Sequence, residues 1–354
     1  MAGRLGVTLA FLVLGLAATA DAGQQAPPSS PPQASAQAAK APANDDCLAC
    51  HGDKDVKREN GTSIAVDDKV FAASKHGPLD CVDCHKDLAK VQEFPHPEKL
   101  AKVDCASCHG EEGTKYHDSI HSWAKEKAGL SAVAPACADC HGKHDIRGTD
   151  DKDARVYRAN IPATCGSCHS GVLDKYKLGV HAAARAGGND KAPVCADCHT
   201  AHGVQRTDTD QARLSVTAEC GTCHAESLRT YRDTFHGQVT RLGFVRVATC
   251  ADCHGAHDIY PQADARSTVH AVNRVKTCQT CHPSANENFA QYDPHADRHN
   301  KARSPALYAT GRFMDGLLLT VFAAFGVHTA LWLGRGLKDR GRRASQHDDT
   351  PAGR

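Results

Sequence analysis

The 354-residue sequence contains very little methionine, tryptophan or other aromatic material: two Met, two Trp, and 5% Phe, Trp and Tyr together. Its long apolar runs lie near the two ends, so the middle of the chain has little material for a core of side chains alone. The formal charge is only +1, with 42 Lys and Arg against 41 Asp and Glu. This balance excludes a strongly basic nucleic-acid-binding protein. Something other than side chains must therefore fill the middle of the fold.

The first 22 residues have the pattern of a secretory signal peptide. Arg4 supplies the positive charge, residues 5–16 form a short apolar stretch, and small residues at 18–22 supply the cleavage pattern. Residues 23–44 are rich in Pro, Ala, Gln and Ser, which predicts a disordered linker.

Residues 316–334 carry no charge and are followed by a basic tail. As a helix this stretch measures about 28 Å, close to the hydrocarbon thickness of a bilayer. The positive-inside rule places the tail, residues 335–354, in the cytoplasm and the chain before residue 312 outside it. We therefore predict a juxtamembrane segment at 301–315, a transmembrane helix at 316–334 and an exported domain before them. The alternative is a buried helix of a soluble domain, which the basic tail disfavours.

All 18 cysteines belong to nine copies of one pattern, C-x-x-C-H. The cysteines are Cys47, Cys50, Cys81, Cys84, Cys105, Cys108, Cys137, Cys140, Cys165, Cys168, Cys195, Cys198, Cys220, Cys223, Cys250, Cys253, Cys278 and Cys281. The histidines that close the motifs are His51, His85, His109, His141, His169, His199, His224, His254 and His282.

This pattern is typical of covalent c-type haem attachment. Two thiols three residues apart lie on one helical turn and reach one edge of a porphyrin, and the following histidine becomes the proximal iron ligand. Zinc sites need four ligands gathered from two half-sites, and a thioredoxin-type dithiol uses a single motif. A disulfide framework fits the cysteine count but not the nine-fold spacing. We therefore expect nine covalently bound haems c.

The motifs form a tandem repeat of two alternating types. First-type motifs begin at residues 47, 105, 165, 220 and 278, and second-type motifs at 81, 137, 195 and 250. The chain thus contains four two-haem units and a final half unit. Tyr116, Tyr176 and Tyr231 each lie eight residues after the second cysteine of a first-type motif, and we expect them to pack against porphyrin.

The repeat also predicts a second, distal histidine for each iron. One histidine series lies thirteen residues after the second cysteine of first-type motifs, and another lies three residues after second-type motifs. Methionine, the usual alternative ligand, is excluded because Met1 is the initiator and Met314 lies at the membrane edge. The candidates for the first-type group are His76, His121, His181, His236 and either His295 or His299, and those for the second-type group are His96, His144, His202 and His257. His117 and His270 remain as spares.

A chain with so many haems buries macrocycles instead of building a side-chain core. We predict a mainly α fold with long irregular loops around a haem stack and almost no sheet, over residues 45–300, plus the single C-terminal transmembrane helix. The chain without haem is expected to be largely unfolded, because ligand binding supplies the folding energy.

The nine C-x-x-C-H motifs and the CADCH-x-x-H phrases resemble exported multihaem cytochromes c with bis-histidine haems. The segment FMDGLLLTVFAAFGVHTALWLGRGL resembles the membrane tail of multihaem cytochromes associated with cytochrome b561-type subunits in quinol-oxidising complexes. The resemblance implies a bacterial inner-membrane protein with its haem domain in the periplasm. The implied partners are the quinone pool or a membrane cytochrome b-type subunit, and periplasmic or outer-membrane electron acceptors.

His328 lies within the predicted membrane span, where an ionisable side chain is costly. It is a candidate ligand for a b-type haem shared with a partner, or a candidate quinone contact. The alternative is a histidine that forms a hydrogen bond at a helix interface.

The favoured function is electron transfer by a redox carrier that is not itself an enzyme. The alternative is a multihaem reductase or oxidase of small nitrogen or sulfur compounds, which needs one open iron site. Nitrite reductases of this kind carry a lysine-ended C-x-x-C-K motif, whereas all nine motifs here end in histidine. A third possibility, an assembly factor or haem chaperone, does not require nine tandem covalent sites.

Overall fold

The computed structural model describes residues 40–348, with side chains to residue 343. The predicted signal peptide and nearly all of the predicted linker lie outside these residues. Within them the chain contains helices, turns and irregular loops, and its only β-pairing is an isolated bridge between Lys57 and Ser63. The predicted α-rich fold with almost no sheet is confirmed.

Sixteen α-helices follow one another along the described chain, most of them between one and three turns long. They are α1 (Asn44–His51), α2 (Asp68–Ala72), α3 (Cys81–Cys84), α4 (Gly110–His117), α5 (Ile120–Glu126), α6 (Cys137–His141), α7 (Ile161–Gly166), α8 (Ser170–Leu178), α9 (Val180–Ala186), α10 (Cys195–His199), α11 (Asp210–Cys223), α12 (Ala225–Asp233), α13 (Phe235–Arg241), α14 (Cys250–His254), α15 (Arg274–Gln279) and α16 (Pro305–Asp348). Short 3₁₀ turns occur at Lys86–Leu88, Cys105–Ser107 and Phe289–Gln291.

The second-type motifs form their own short helices because an aspartate inside each motif satisfies the helix start. In α6 the Asp139 carboxylate accepts a hydrogen bond from the backbone N–H of Ala136, just before the motif, at 2.7 Å. The same contact recurs at α3, α10 and α14, through Asp83, Asp197 and Asp252. This is one half of a capping box, and it orients both cysteines and the histidine that follow.

Few side chains are buried in the described chain, and most of those that are buried are small. The buried apolar residues are Val82, Ala154, Ala192, Val194, Ala212, Tyr231, Val245, Ala285 and Ala290. In place of a side-chain core the fold encloses a continuous cavity of about 4250 Å³, lined by residues of eight of the nine motifs. A site for one small ligand measures only about 300–1,000 Å³, so this cavity has room for several large groups.

Backbone hydrogen bonds join successive units across this cavity. The N–H groups of Lys75, Ile120 and Val180 donate to the carbonyls of Ile146, Val204 and Ile259, at 2.8, 2.7 and 2.7 Å. Each donor directly precedes a candidate distal histidine, and each acceptor lies in the loop after the second-type motif one unit later. The units therefore interlock instead of stacking as separate modules.

The C-terminal helix α16 is continuous, and its described residues are exposed to solvent except for Tyr308 and Gly311, which are half-buried. Its segment Pro305–Arg343 contains an 18-residue stretch with a mean hydropathy of 1.8, none of it buried, and is by length and composition able to cross a membrane. The helix extends beyond the predicted span in both directions. Pro305 suits the first helical turn, and no proline follows it before residue 351, so no helix-breaking proline lies at the predicted boundaries.

Candidate functional site

Each of the nine motif histidines faces one other histidine ring, with ring centres 5.9–6.4 Å apart. For the first-type motifs the pairs are His51 with His96, His109 with His76, His169 with His121, His224 with His181 and His282 with His236. For the second-type motifs they are His85 with His144, His141 with His202, His199 with His257 and His254 with His295.

This separation fits one metal ion held between two imidazoles. With a metal–nitrogen bond of about 2.0 Å, imidazoles on opposite sides of an ion place their ring centres about 6 Å apart. No group of three or more His, Cys, Asp or Glu side chains converges elsewhere in residues 40–348 to complete such a site. An iron porphyrin would be held by one nitrogen from each of the two rings, and the two adjacent thiols would supply its attachment points. The residues therefore fit a haem c at each pair.

Eight of the nine pairs join different repeat units. After the first unit, each first-type histidine takes its partner from the preceding unit, as His169 does with His121. Each second-type histidine takes its partner from the following unit, as His141 does with His202. Only His51 and His96 pair within one unit among the described residues.

Two candidate distal histidines face the other type of motif from the one that the sequence assigned to them. His96, expected to serve a second-type motif, faces the first-type His51, and His295, expected to serve a first-type motif, faces the second-type His254. The staggered pairing explains the exchange: the first motif has no preceding unit, and the last second-type motif has no complete unit after it. His299 faces none of the nine motif histidines in the part of the chain that the structure describes.

The spare histidines also lie away from the pairs. His117 contacts Glu126, with Nδ1 and Oε1 3.5 Å apart, and His270 lies next to the Val272 amide. His328 is exposed on α16, in the apolar stretch.

Several paired rings are oriented by a hydrogen bond at Nδ1. His51 Nδ1 lies 2.8 Å from the Ile64 carbonyl, and His96 Nδ1 lies 2.9 Å from the Pro97 carbonyl. A carbonyl only accepts hydrogen bonds, so each Nδ1 carries the proton and Nε2 keeps its lone pair for a metal. These two ring planes are within 8° of parallel.

Burial lowers the pKa of many of the paired histidines, which favours the neutral ring. It lowers the pKa of His141, and the facing His202 and nearby His109 lower it further. Burial is likewise the leading cause of the lowered pKa of His181, followed by His224. Lowered pKa values of the same origin occur at His121, His144, His199, His236, His254, His257 and His295. A neutral imidazole is the form that binds a metal.

The attachment thiols of consecutive motifs lie close together. Burial and then the neighbouring Cys137 thiol raise the pKa of Cys105, and the same hydrogen-bonded thiol contact recurs in the other units. The contacting pairs are Cys47 with Cys81, Cys105 with Cys137, Cys165 with Cys195, and Cys220 with Cys250. All 18 cysteines are free of disulfides. Macrocycles attached at these thiols would be neighbours in the order of the sequence.

The three periodic tyrosines have a structural task that sequence reasoning missed. Their hydroxyls donate to backbone carbonyls two residues before the next second-type motif: Tyr116 to Pro135, Tyr176 to Pro193 and Tyr231 to Ala248, at 2.7, 2.9 and 2.9 Å. Each tyrosine therefore joins the two motifs of its own unit. The nearly constant 17–19 residues between donor and acceptor were the available signal.

A second missed feature is the pairing of the motif aspartates with arginines. Arg158 contacts Asp197 at 2.8 Å and Arg213 contacts Asp252 at 3.0 Å. Each arginine lies seven residues before the first-type motif of the same unit, a spacing that the sequence displays. These ion pairs join each second-type motif to the segment that leads into the first-type motif of the same unit.

Comparison with known proteins identifies relatives of one kind. Over 198 residues the chain is 27% identical to the multiheme cytochrome MtrA of Shewanella baltica, covering 45% of this chain and 57% of that protein. It is 29% identical over 139 residues to the cytochrome c-type protein NrfB of Escherichia coli, covering 37% and 71%. It is 24% identical over 212 residues to the high-molecular-weight cytochrome c of Nitratidesulfovibrio vulgaris, covering 51% and 34%.

No family model and no solved structure matches the chain. The chain spans about half the length of the Shewanella relative and a third of the Nitratidesulfovibrio one. These three relatives are nevertheless c-type cytochromes, and together with the 18 cysteines they indicate covalently bound haem c and a role in electron transfer. The resemblance to multihaem cytochromes c is supported at this level.

Proposed function

We propose that the protein is a membrane-anchored nonahaem cytochrome c that relays electrons along a chain of nine bis-histidine haems. The observation that carries this proposal is the set of nine facing histidine pairs, one for each C-x-x-C-H motif. The haem supplies the redox chemistry when bound. The chain supplies two axial nitrogens, two thioether positions and the spacing between neighbours.

The route of the electrons follows the order of the motifs. Within a unit the first thiols of both motifs are in contact, and between units Cys84 lies near Cys105, Cys140 near Cys165, and Cys198 near Cys220. At the C-terminal end Cys253 lies near Cys278. These contacts support a linear path from the motif at residues 47–51 to the one at 278–282.

We place one end of this path at the membrane. Only about twenty residues separate the last motif from the start of α16. The basic residues after the apolar stretch support a cytoplasmic C-terminus and a periplasmic haem domain, since positive charge is retained on the cytoplasmic side. A quinone-linked cytochrome b-type subunit of the bacterial inner membrane would then exchange electrons with the C-terminal haems. Periplasmic or outer-membrane acceptors would be served from the N-terminal ones.

His328 is the residue of α16 that fits a role inside the membrane. Its side chain is exposed on the helix, and an imidazole at this depth needs a polar partner. We propose that it contacts a quinone or a b-type haem of the partner subunit. His328→Ala is expected to lower quinol-driven reduction of the haems at least several-fold, whereas the neighbouring Thr329→Ala is not.

The main test is a haem inventory of the matured protein. We expect a mass increase of nine haems, a purely low-spin ferric spectrum and no stoichiometric binding of carbon monoxide or nitrite. One open iron would support the alternative of a reductase or oxidase, and fewer than nine haems would reject the nonahaem assignment.

A further inference from the structure

The last second-type motif lacks the partner that the repeat provides elsewhere. His85, His141 and His199 each face a histidine three residues after the next second-type motif. After His254 there is no further second-type motif, since the chain ends in a half unit. The histidine facing His254 is His295, from a segment outside the repeat. We call residues 293–304 the C-terminal loop.

Thr230 on α12 fixes the ring of His295. Thr230 is 2% exposed, and its hydroxyl lies 3.0 Å from His295 Nδ1 and 3.1 Å from the carbonyls of both Glu226 and Ser227. A hydroxyl has one hydrogen to donate, and in a helix the carbonyl one turn before takes it. Oγ1 therefore accepts from Nδ1–H of His295. This tautomer leaves the Nε2 lone pair free for a metal.

The preceding residue, Arg229, holds the loop through Asp297. The guanidinium binds the carboxylate at two points, with Nη1–Oδ1 3.1 Å and Nη2–Oδ2 2.5 Å. The Asp297 side chain is only 3% exposed, and its Oδ1 also accepts from the backbone N–H of His299 at 2.8 Å. A bidentate pair fixes both distance and orientation, so the loop is seated in one position against α12.

The same helix also holds the other ligand of this pair. Tyr231 donates to the Ala248 carbonyl at the start of the motif that carries His254. Three consecutive residues of α12 thus position both facing rings. In the earlier units the residue before the tyrosine is a lysine, Lys115 or Lys175, so neither unit has a counterpart of Thr230.

Two contacts close the C-terminal loop on itself just before α16 begins. The backbone N–H of Asp297 donates to Ser304 Oγ at 3.2 Å, and Arg303 contacts Asp293 at 3.5 Å. One contact reaches the long helix: Arg298 lies 4.0 Å from Asp315, three turns into α16. The loop therefore connects the apolar helix to the His254 pair.

We propose that Arg229, Thr230 and Asp297 are positioning residues that replace the missing repeat ligand: they seat the C-terminal loop so that His295 is the sixth ligand of the haem on the 250–254 motif. The proposal rests on the bis-histidine assignment above. It makes this haem the one whose ligation is mechanically joined to the membrane helix.

The test uses the full-length, haem-loaded protein with Thr230→Val, Thr230→Ser and Asp297→Asn. Thr230→Val keeps the side-chain shape but removes the hydroxyl, so His295 becomes a less basic ligand and its haem shifts to a higher midpoint potential. We expect this shift in one haem of nine, with normal potentials restored by Thr230→Ser. In the double variant Thr230→Val with Asp297→Asn, we expect one haem per chain to become high-spin and bind carbon monoxide.

Two matched controls separate this role from general damage. Thr114→Val removes an exposed helical hydroxyl that contacts no histidine, and Asp264→Asn breaks a comparable aspartate–arginine pair with Arg266 outside the loop. Both should retain nine normal haems. Where Thr230→Val matures poorly, Asp297→Asn is the deciding variant, because it preserves the side-chain shape while it removes the charge and one of the two oxygens that accept from Arg229.

The outcomes distinguish the proposal from its premise. If His295→Ala opens one haem while the Thr230 and Asp297 variants leave all spectra and potentials unchanged, the positioning role is overturned and the ligand assignment stands. If His295→Ala changes no haem, or the wild-type protein already has an open iron, the bis-histidine assignment itself fails.

Discussion

The middle of the molecule and its two ends reach the same ligand geometry by different means. In the middle, the repeat supplies each iron with a partner histidine from a neighbouring unit, at fixed positions in the sequence. At the ends there is no neighbouring unit to supply one. His51 uses His96 from its own unit, and His254 uses His295 from the C-terminal loop.

This difference follows from the staggering of the ligands. When each unit donates one histidine forward and another backward, a finite array necessarily leaves one vacant position at each end. Irregular segments fill both positions, and both filling histidines have an Nδ1 hydrogen bond, to Pro97 in one case and to Thr230 in the other. The ends therefore resemble capping repeats of solenoid proteins, which differ in sequence because they have neighbours on one side only.

The largest expected effect is a difference in stability and maturation between two variants, one that lacks a haem in the middle of the chain and one that lacks the haem at the N-terminal end. Cys165→Ala with Cys168→Ala leaves His169 and His121 without a metal in the centre of the cavity, and we expect loss of cooperative unfolding and poor maturation, because ligand binding supplies the folding energy. Cys47→Ala with Cys50→Ala should give a folded protein with eight haems. Haem-to-protein mass ratio and thermal unfolding measure both. Equal melting temperatures in the two variants would contradict the interlocked middle.

The second prediction removes distal ligands while keeping all attachment sites. His181→Ala is expected to open the iron of the 220–224 motif, one unit further along, because these are the rings that face each other. His96→Ala is expected to open the iron of the 47–51 motif, in its own unit. In each case one haem in nine should bind carbon monoxide, and the spare His270→Ala should open none. Assigning the opened haem by its paramagnetic NMR signals checks the pairing. If His181→Ala opens the haem of the 165–169 motif, in its own unit, the staggered pairing between units is refuted.

Sequence reasoning was strongest where residues repeat. Spacing alone identified His121, His181 and His236 as one series, and the structure places all three opposite motif histidines. Spacing did not identify the motif histidines that they face, because a repeat shows which positions are equivalent but does not show which units are in contact. That information lies in long-range contacts such as the hydrogen bond from Ile120 to Val204.

Sequence reasoning was weakest at the ends, for a related physical reason. His96, His295 and His299 have no equivalents, so nothing in the sequence separated the two that face motif histidines from the one that does not. His295 faces His254 because Thr230 and Asp297 hold it in place. Thr230 lies 65 residues before His295 in the sequence, and Asp297 lies two residues after it. The predicted α-rich fold, by contrast, needed only composition and motif density.

The third prediction concerns the tyrosines that join the motifs of each unit. Tyr231→Phe leaves the Ala248 carbonyl without its donor in a buried site, and we expect a loss of about 1–3 kcal/mol in the free energy of unfolding. Tyr116→Phe, at a less buried tyrosine, should cost about 1 kcal/mol. Tyr292→Phe, which is 60% exposed, is the control and should change little. Denaturant unfolding of the haem-loaded variants measures the differences. If Tyr231→Phe leaves the free energy of unfolding unchanged, the tyrosine does not join the two motifs of its unit.

The smallest expected effect is an acid-dependent difference confined to the C-terminal end. The Arg229 guanidinium lowers the pKa of Asp297 to about 2, below the ordinary value of about 3.9. A depressed carboxyl pKa stabilises the folded state above the ordinary value, and this contribution is lost as the pH falls from about 4 towards 2. The haem facing His295 should therefore gain high-spin character in this window, followed by its absorption spectrum during acid titration. In Asp297→Asn the contact with Arg229 has no carboxylate to titrate, and Asp293 is the remaining carboxylate of the loop, so the step of that haem between pH 4 and 2 should become smaller. The haem between His141 and His202 should titrate alike in both proteins. A step of unchanged size in Asp297→Asn would mean that the ion pair does not hold the loop, and the C-terminal end would then differ from the middle only in the origin of its histidine.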